Sequence, residues 1–266
     1  MASARLALAA LLWLTHVWAT SNQASGAEVE ISKFDPFRQH VIFKMKGEIK
    51  RGDLGELQAR AEFLKLRTGP KGGSIRLIVF GSSGGDVQEA MRIGRWLREN
   101  EFTVLIYQEC ASACVYILAA GVERIAPDEV AVLVHRPYLL DQPSTGSLHR
   151  TMGELLQLSR DYFAEMNIPE ALADEMFSVE PAQSRRLTAR EIAFYRLNQQ
   201  DMAYHEAQQI SAAKRLGIDR GEYLTRLRAY QDAGASQKCL KERFPERQIS
   251  CLTNEMRRFG LMSPDD

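Results

Sequence analysis

Apolar and polar positions follow two rhythms along this chain, and the change between them divides it. In HVIFKMKGEI, residues 40 to 49, Val41, Phe43 and Met45 occupy every second position, the period of a strand with one buried face. SIRLIVFG (74 to 81), FTVLIY (102 to 107) and VAVLVHRPY (130 to 138) are short, nearly continuous apolar runs, as expected of strands covered on both faces. Between them the period becomes helical. GELQARAEFLKLRTG, with Leu57, Ala61, Phe63 and Leu64, predicts a helix ending near Gly69-Pro70. DVQEAMRIGRWLRENE turns Val87, Ala90, Met91, Gly94 and Leu97 to one side, and the run from Ala111 to Ala120 predicts a helix of small and apolar residues. Strand, glycine turn, helix, strand, helix, strand is the α/β crossover pattern, and it puts the core layer at residues 40 to 137.

Beyond it the pattern is almost wholly helical. DQPSTGS (141 to 147) reads as a loop and LHRTMGELLQLSRDYFAEMN as a helix that stops before Ile168-Pro169. PEALADEMFS and LTAREIAFYRLN give shorter helices, the second opened by Thr188 with Glu191 three residues on, a capping box. Residues 199 to 232 are charged and helical. The expected organisation is an α/β domain over residues 28–198 and a helical, disulfide-stapled extension over 199–266.

The first segment bears on compartment. MASAR is followed by LALAALLWLTHVWA, an apolar run of signal-peptide length, so residues 1–27 are expected to be a signal peptide. Val17-Trp18-Ala19 and Ser25-Gly26-Ala27 are its two candidate cleavage sites. Export to the periplasm or the extracellular space is the expectation, with a retained N-terminal membrane anchor as the alternative. The 34 basic and 34 acidic residues cancel, and loss of the leader removes Arg5 and no acid, leaving about −1. That charge offers no footprint for nucleic acid. No later run reaches about 18 apolar residues, so no stable membrane span is expected after leader removal.

In an oxidising compartment the four cysteines can pair. Cys239 and Cys251 enclose the polar stretch KERFPERQIS and are the natural couple, closing a short loop. Cys110 and Cys114 stand four apart, which on a helix gives roughly 6 Å between Cα atoms with Cβ directions that seldom suit a bond. A bond, pairing elsewhere, and buried thiols all stay open for them.

Candidate chemistry gathers at three places. GSSGGD follows a strand and precedes a helix, where backbone amides face outward. Ser112 stands at the start of the next helix, and His135 ends a later strand. Ligands of open α/β sheets lie beyond the carboxyl ends of the strands, and all three features belong to that edge. An imidazole can take the proton of a serine hydroxyl, and the negative charge built by attack on a carbonyl needs amide donors. Gly84 and Ala113 are the expected donors. Each feature also has a plainer role: Gly84-Gly85 as a tight turn, Asp86 and Ser112 as helix caps, His135 as a packed strand-end residue.

GSSGGD lacks the spacing of a nucleotide loop, the cysteines are not CxxC, and two cysteines with one histidine do not complete a zinc shell. No cofactor and no metal are expected. Tyr107, Tyr116, Tyr138 and Trp96 are either pocket lining or core filler, the Arg185-Arg186 pair reads as surface, and His40, His149 and His205 have no recognisable ligand partners.

GSSGGDV, CASACVYILAAG and VLVHRP resemble the ClpP/crotonase fold, in particular its serine-protease branch of ClpP protease and signal peptide peptidase A, and still more the exported ClpP-like proteins of bacteria. The resemblance covers about residues 40 to 198 and implies a repeated β-β-α core with a helical C-terminal extension. It implies Ser112 as nucleophile, His135 as base 23 residues later, and an oxyanion held at Gly84 and Ala113. The chain has Ser83 where the family turn carries proline. By the register of RRLTAREIAFYRLN, the triad aspartate position is Ser184. A carboxylate from Glu180 or Glu191, a serine-histidine dyad, or a neutral acceptor would have to serve instead, and loss of the orienting acid can cost on the order of 10⁴ in rate. The implied function is an exported serine hydrolase, a peptidase acting on peptide or protein substrates, with an inactive ClpP-like binding or assembly module as the alternative. Acyl-CoA chemistry of the crotonase kind fits export poorly, because that cofactor is intracellular. The resemblance also implies self-association, although monomeric forms of the fold exist.

Overall fold

The crossover pattern closes around one seven-stranded sheet built from β1 (Glu28–Asp35), β2 (His40–Lys46), β3 (Arg76–Ser82), β4 (Thr103–Ala111), β5 (Glu123–Ile125), β6 (Ala131–Val134) and β7 (Arg185–Arg186). This computed structural model describes residues 26–36, 40–66, 75–138, 145–242 and 244–263. The expected leader, except Gly26 and Ala27, and the Gly69-Pro70 helix end lie outside the described residues.

The strand order is β1-β2-β3-β4-β6-β7, with β5 also paired to β4. β2, β3, β4 and β6 run parallel, and β1 and β7 close the two ends antiparallel. β5 takes the first part of β4 through Thr103↔Glu123 and β6 the last part through Ala111↔Leu133. Three of these strands were not expected. β1 carries Glu28, Glu30 and Lys33 along a sheet edge, where charge discourages pairing with another chain and hides the alternation. β5 and β7 have three and two residues, too few for a periodic signal.

Helices α1 (Asp53–Phe63), α2 (Val87–Glu99) and α3 (Cys114–Ala120) supply the crossovers. α2 buries Ala90, Met91, Ile93, Gly94, Trp96 and Leu97, and every residue of α3 is buried. Side chains such as Phe43, Ile78, Phe80, Phe102, Val104 and Ile117 fill the interior between sheet and helices. Each fully buried side chain of that size contributes about 1.5–3 kcal/mol. Trp96 and Tyr116 belong to this core, Tyr116 stacking on Phe163 with ring centroids 4.8 Å apart, whereas Tyr107 and Tyr138 are exposed.

After β6 come α4 (Thr145–Glu165), α5 (Ala171–Ser178) and α6 (Ala189–Phe194), then α7 (Met202–Arg215), α8 (Arg220–Asp232), α9 (Ala235–Leu240) and α10 (Pro245–Arg258). Thr188 and Glu191 form the expected capping box at α6. A second, much smaller hydrophobic cluster of Tyr230, Ala235 and Leu261, with Tyr223, Leu227, Met256 and Phe259 against it, serves the last helices. Cys239 and Cys251 are bonded as expected, joining α9 to α10 and closing a short loop whose polar stretch is largely helical. Among the described residues no helix is long and apolar enough to cross a membrane.

Asp201 ties the two regions. It caps α7 by accepting from the Tyr204 N–H at 3.0 Å, and its Oδ2 accepts from Arg98 at 2.6 Å and from the fully buried Arg124 at 3.1 Å. Burial lowers the Arg124 guanidinium to about 10, although Asp201 pulls it back upward. Burial raises the Asp201 carboxyl, but the hydrogen bonds from Arg98, the Tyr204 N–H and Asn167 outweigh it and hold the group below the usual carboxylate range.

Candidate active site

At the carboxyl edge of the sheet the chain leaves β3 through Ser82, Ser83, Gly84 and Gly85. Ser82 Oγ donates to the Gly47 carbonyl at 2.6 Å and accepts from the Gly84 N–H at 3.0 Å. Both glycines have positive φ, 108° at Gly84 and 136° at Gly85. A Cβ at Gly84 would stand 2.7 Å from Ser112 Cβ, and one at Gly85 would stand 2.1 Å from the Ile49 carbonyl oxygen. The turn is therefore wedged between the segment after β2 and the turn that carries Ser112, and glycine is required there on both counts. Asp86 then caps α2 by accepting from the Glu89 N–H.

Ser112 does not cap α3. The helix begins two residues later, Ala113 holds the cap position without a side-chain hydrogen bond, and Ser112 sits in the sharp turn between β4 and α3 at φ 54°. Left-handed backbone is uncommon outside glycine and gathers at functional turns. The Ser112 N–H donates to the Leu133 carbonyl at 2.9 Å, which sets the serine against the end of β6, two residues before His135. Ser112 and His135 are both buried, each 8% exposed.

His135 lies one residue past β6. Its Nδ1 is 2.9 Å from the Arg136 carbonyl oxygen. A carbonyl only accepts, so this bond places the ring proton on Nδ1 and leaves Nε2 as the basic nitrogen. The Arg136 N–H in turn donates to Val179 at 2.8 Å, and the Arg136 side chain pairs with Glu180 at 2.6 Å. Glu180 is thus occupied by Arg136, and Glu191 by Thr188 and Arg185. Arg185 also pairs with Glu175, so it is committed within the fold. The β6–β7 ladder ends with Val134 paired to Arg185, one residue short of His135 on one strand and of Ser184 on the other. Ser184 is exposed.

Of the two amides expected to hold an oxyanion, the Gly84 N–H is engaged by Ser82 Oγ, whereas the N–H groups of Ala113 and Gly85 have no partner among the described residues. The same holds for Ser112 Oγ and His135 Nε2, which are not bonded to each other. Two participants escaped sequence reasoning. Ser82 shows the serine-to-second-amide turn, for which a serine two residues before a glycine at a strand end is a readable signal. The Arg136 carbonyl has no side-chain signature, and Pro137 after it is the one sequence hint that the strand ladder stops there.

An open cleft of about 480 Å³ lies beside the glycine turn, lined by Lys46, Glu48, Gly81, Ser83, Gln108 and Glu109 among others. β4 is irregular beside it: Phe80 pairs with Ile106 but Ser82 with Cys110, so Tyr107, Gln108 and Glu109 bulge relative to β3, while Glu109 stays paired with Ala131 on β6. Neither Ser112 nor His135 lines this cleft. The other cysteine pair is also bonded, Cys110 on β4 to Cys114 at the head of α3, bracketing Ser112. No group of three or more metal-ligating side chains occurs among the described residues. Compared with known families and with curated proteins, the chain finds no match in either.

Proposed function

We propose that the chain is an exported serine hydrolase of the ClpP/crotonase fold, a peptidase in the first instance, that cleaves amide or ester bonds through an acyl-enzyme on Ser112. The observation that carries this reading is the tie from His135 Nδ1 to the Arg136 carbonyl, one strand over from a serine in left-handed conformation. His135 Nε2 takes the proton of Ser112 as Oγ attacks the substrate carbonyl. The Ala113 amide stabilises the oxyanion, and the close-packed Gly84 backs the serine. His135 then gives the proton to the leaving group, and water resolves the acyl-enzyme by the reverse sequence. A neutral carbonyl orients the imidazole but stabilises its charged form less than a carboxylate does, so turnover is slow. Two disulfides and no free cysteine support an oxidising compartment.

The test is intact mass after incubation with a fluorophosphonate probe, on the purified protein and its Ser112→Ala variant. An adduct on the parent and none on the variant is the expected result. The missing bond between Ser112 and His135 favours a second reading, a ClpP-like binding or assembly module without turnover. A folded parent that takes no label shifts the weight to that reading.

A further inference from the structure

The disulfide around the candidate nucleophile joins two cysteines that are fully buried in the core. Cys110 is fixed in the sheet, opposite Ser82 on β3 and Val132 on β6, and Cys114 opens a helix buried along its whole length. Their bond closes a ring over residues 110–114 with Ser112 at its centre and holds the two Cα atoms 5.2 Å apart. Ser112 is also the one member of that turn with positive φ, a conformation its side chain disfavours. Rotating φ of Ser112 back to negative values would swing Cys114 away from Cys110, and the bond opposes that motion.

We infer that the Cys110–Cys114 disulfide is a positioning element, holding Ser112 in the left-handed conformation from which Oγ faces the incoming carbonyl. The inference rests on the serine-hydrolase reading for its consequence, but its geometry can be tested apart from it. Without the bond, only the Ser112 N–H on Leu133 and the packing on Gly84 oppose a return to ordinary backbone conformations, and Ser112 visits them far more often. Probe binding is retained while the reactive arrangement becomes rare.

The experiment is a fluorophosphonate concentration series that separates the saturating labelling rate from the half-saturating concentration. It is run on the parent, on Cys110→Ala/Cys114→Ala, and on Cys239→Ala/Cys251→Ala. The first variant is expected to lose tenfold or more in the saturating rate, with the half-saturating concentration unchanged within about twofold. The second is expected to label like the parent. If the double alanine variant does not fold, Cys110→Ala/Cys114→Val, of nearly the same summed volume, replaces it.

Labelling of the folded variant at the parent's rate overturns the inference. A crystal structure of the variant with Ser112 still at positive φ overturns it as well, whatever the parent's reactivity. A folded parent that takes no label turns the reading to the binding module, and the Ser112 conformation in that crystal structure still decides the positioning role.

Discussion

The two disulfides stand in opposite surroundings. Cys239–Cys251 joins two helices in a region whose own hydrophobic cluster has three buried members, while Cys110–Cys114 lies inside a core that is already continuous from β1 to α6. In the extension a covalent link replaces missing apolar burial, as small units with thin cores require. In the core, fold stability has other sources, and the bond contributes local geometry beside the serine. Cross-links of one kind thus serve two ends, and the surrounding burial tells them apart.

The sharpest way to break that comparison is at the junction. Asp201→Asn leaves Arg124 buried without a counter-charge and is expected to cost about 3–5 kcal/mol, lowering the melting temperature of both regions together. Independent melting of the extension alone would contradict a shared junction. Because Asp201 is held below its unfolded value, its contribution is complete above pH of about 3.9 and is lost as pH falls through the lower folded value. The gap in melting temperature between parent and variant should therefore close at strongly acidic pH.

Cys239→Ala/Cys251→Ala is expected to remove about 3 kcal/mol, the usual worth of a short disulfide loop. Hydrogen exchange should register the loss across α8 to α10 and leave the sheet protected. Loss of protection in β3 or β4 would mean that the staple also supports the core.

At the sheet edge, Ser184→Asp puts a carboxylate at the position the family resemblance assigns to the triad acid, one residue past the last β6–β7 pair, and is expected to raise the labelling rate on the order of tenfold. A rate unchanged in this exposed, well-folded variant would show that the Arg136 carbonyl already supplies all the orientation the imidazole receives. Glu180→Gln gives the smallest effect, under about 1 kcal/mol, because its ion pair with Arg136 is about half exposed and screened. A large loss of labelling there would make Glu180 more than a surface partner.

One expected boundary feature meets a tertiary constraint. Ala27, the last residue of the second candidate cleavage site, is buried and donates its N–H to Asp53 at 3.1 Å. Cutting after it would remove that bond.

What the sequence by itself determined is what repeats locally. The apolar runs at residues 74 to 81, 102 to 107 and 130 to 138 marked β3, β4 and β6, the helical periods marked α1, α2 and α4 to α8, and the strand-end positions of Gly84, Ser112 and His135 put them on one edge. What the tertiary structure alone decided is non-local. The bond from Ser82 Oγ to the Gly47 carbonyl, the Ser112 N–H on the Leu133 carbonyl, the meeting of Asp201 with Arg98 and Arg124, and the short strands β5 and β7 all depend on which segments meet. Periodicity reports which face of an element avoids water, whereas hydrogen-bond partners are chosen by distance and direction between segments far apart in the chain.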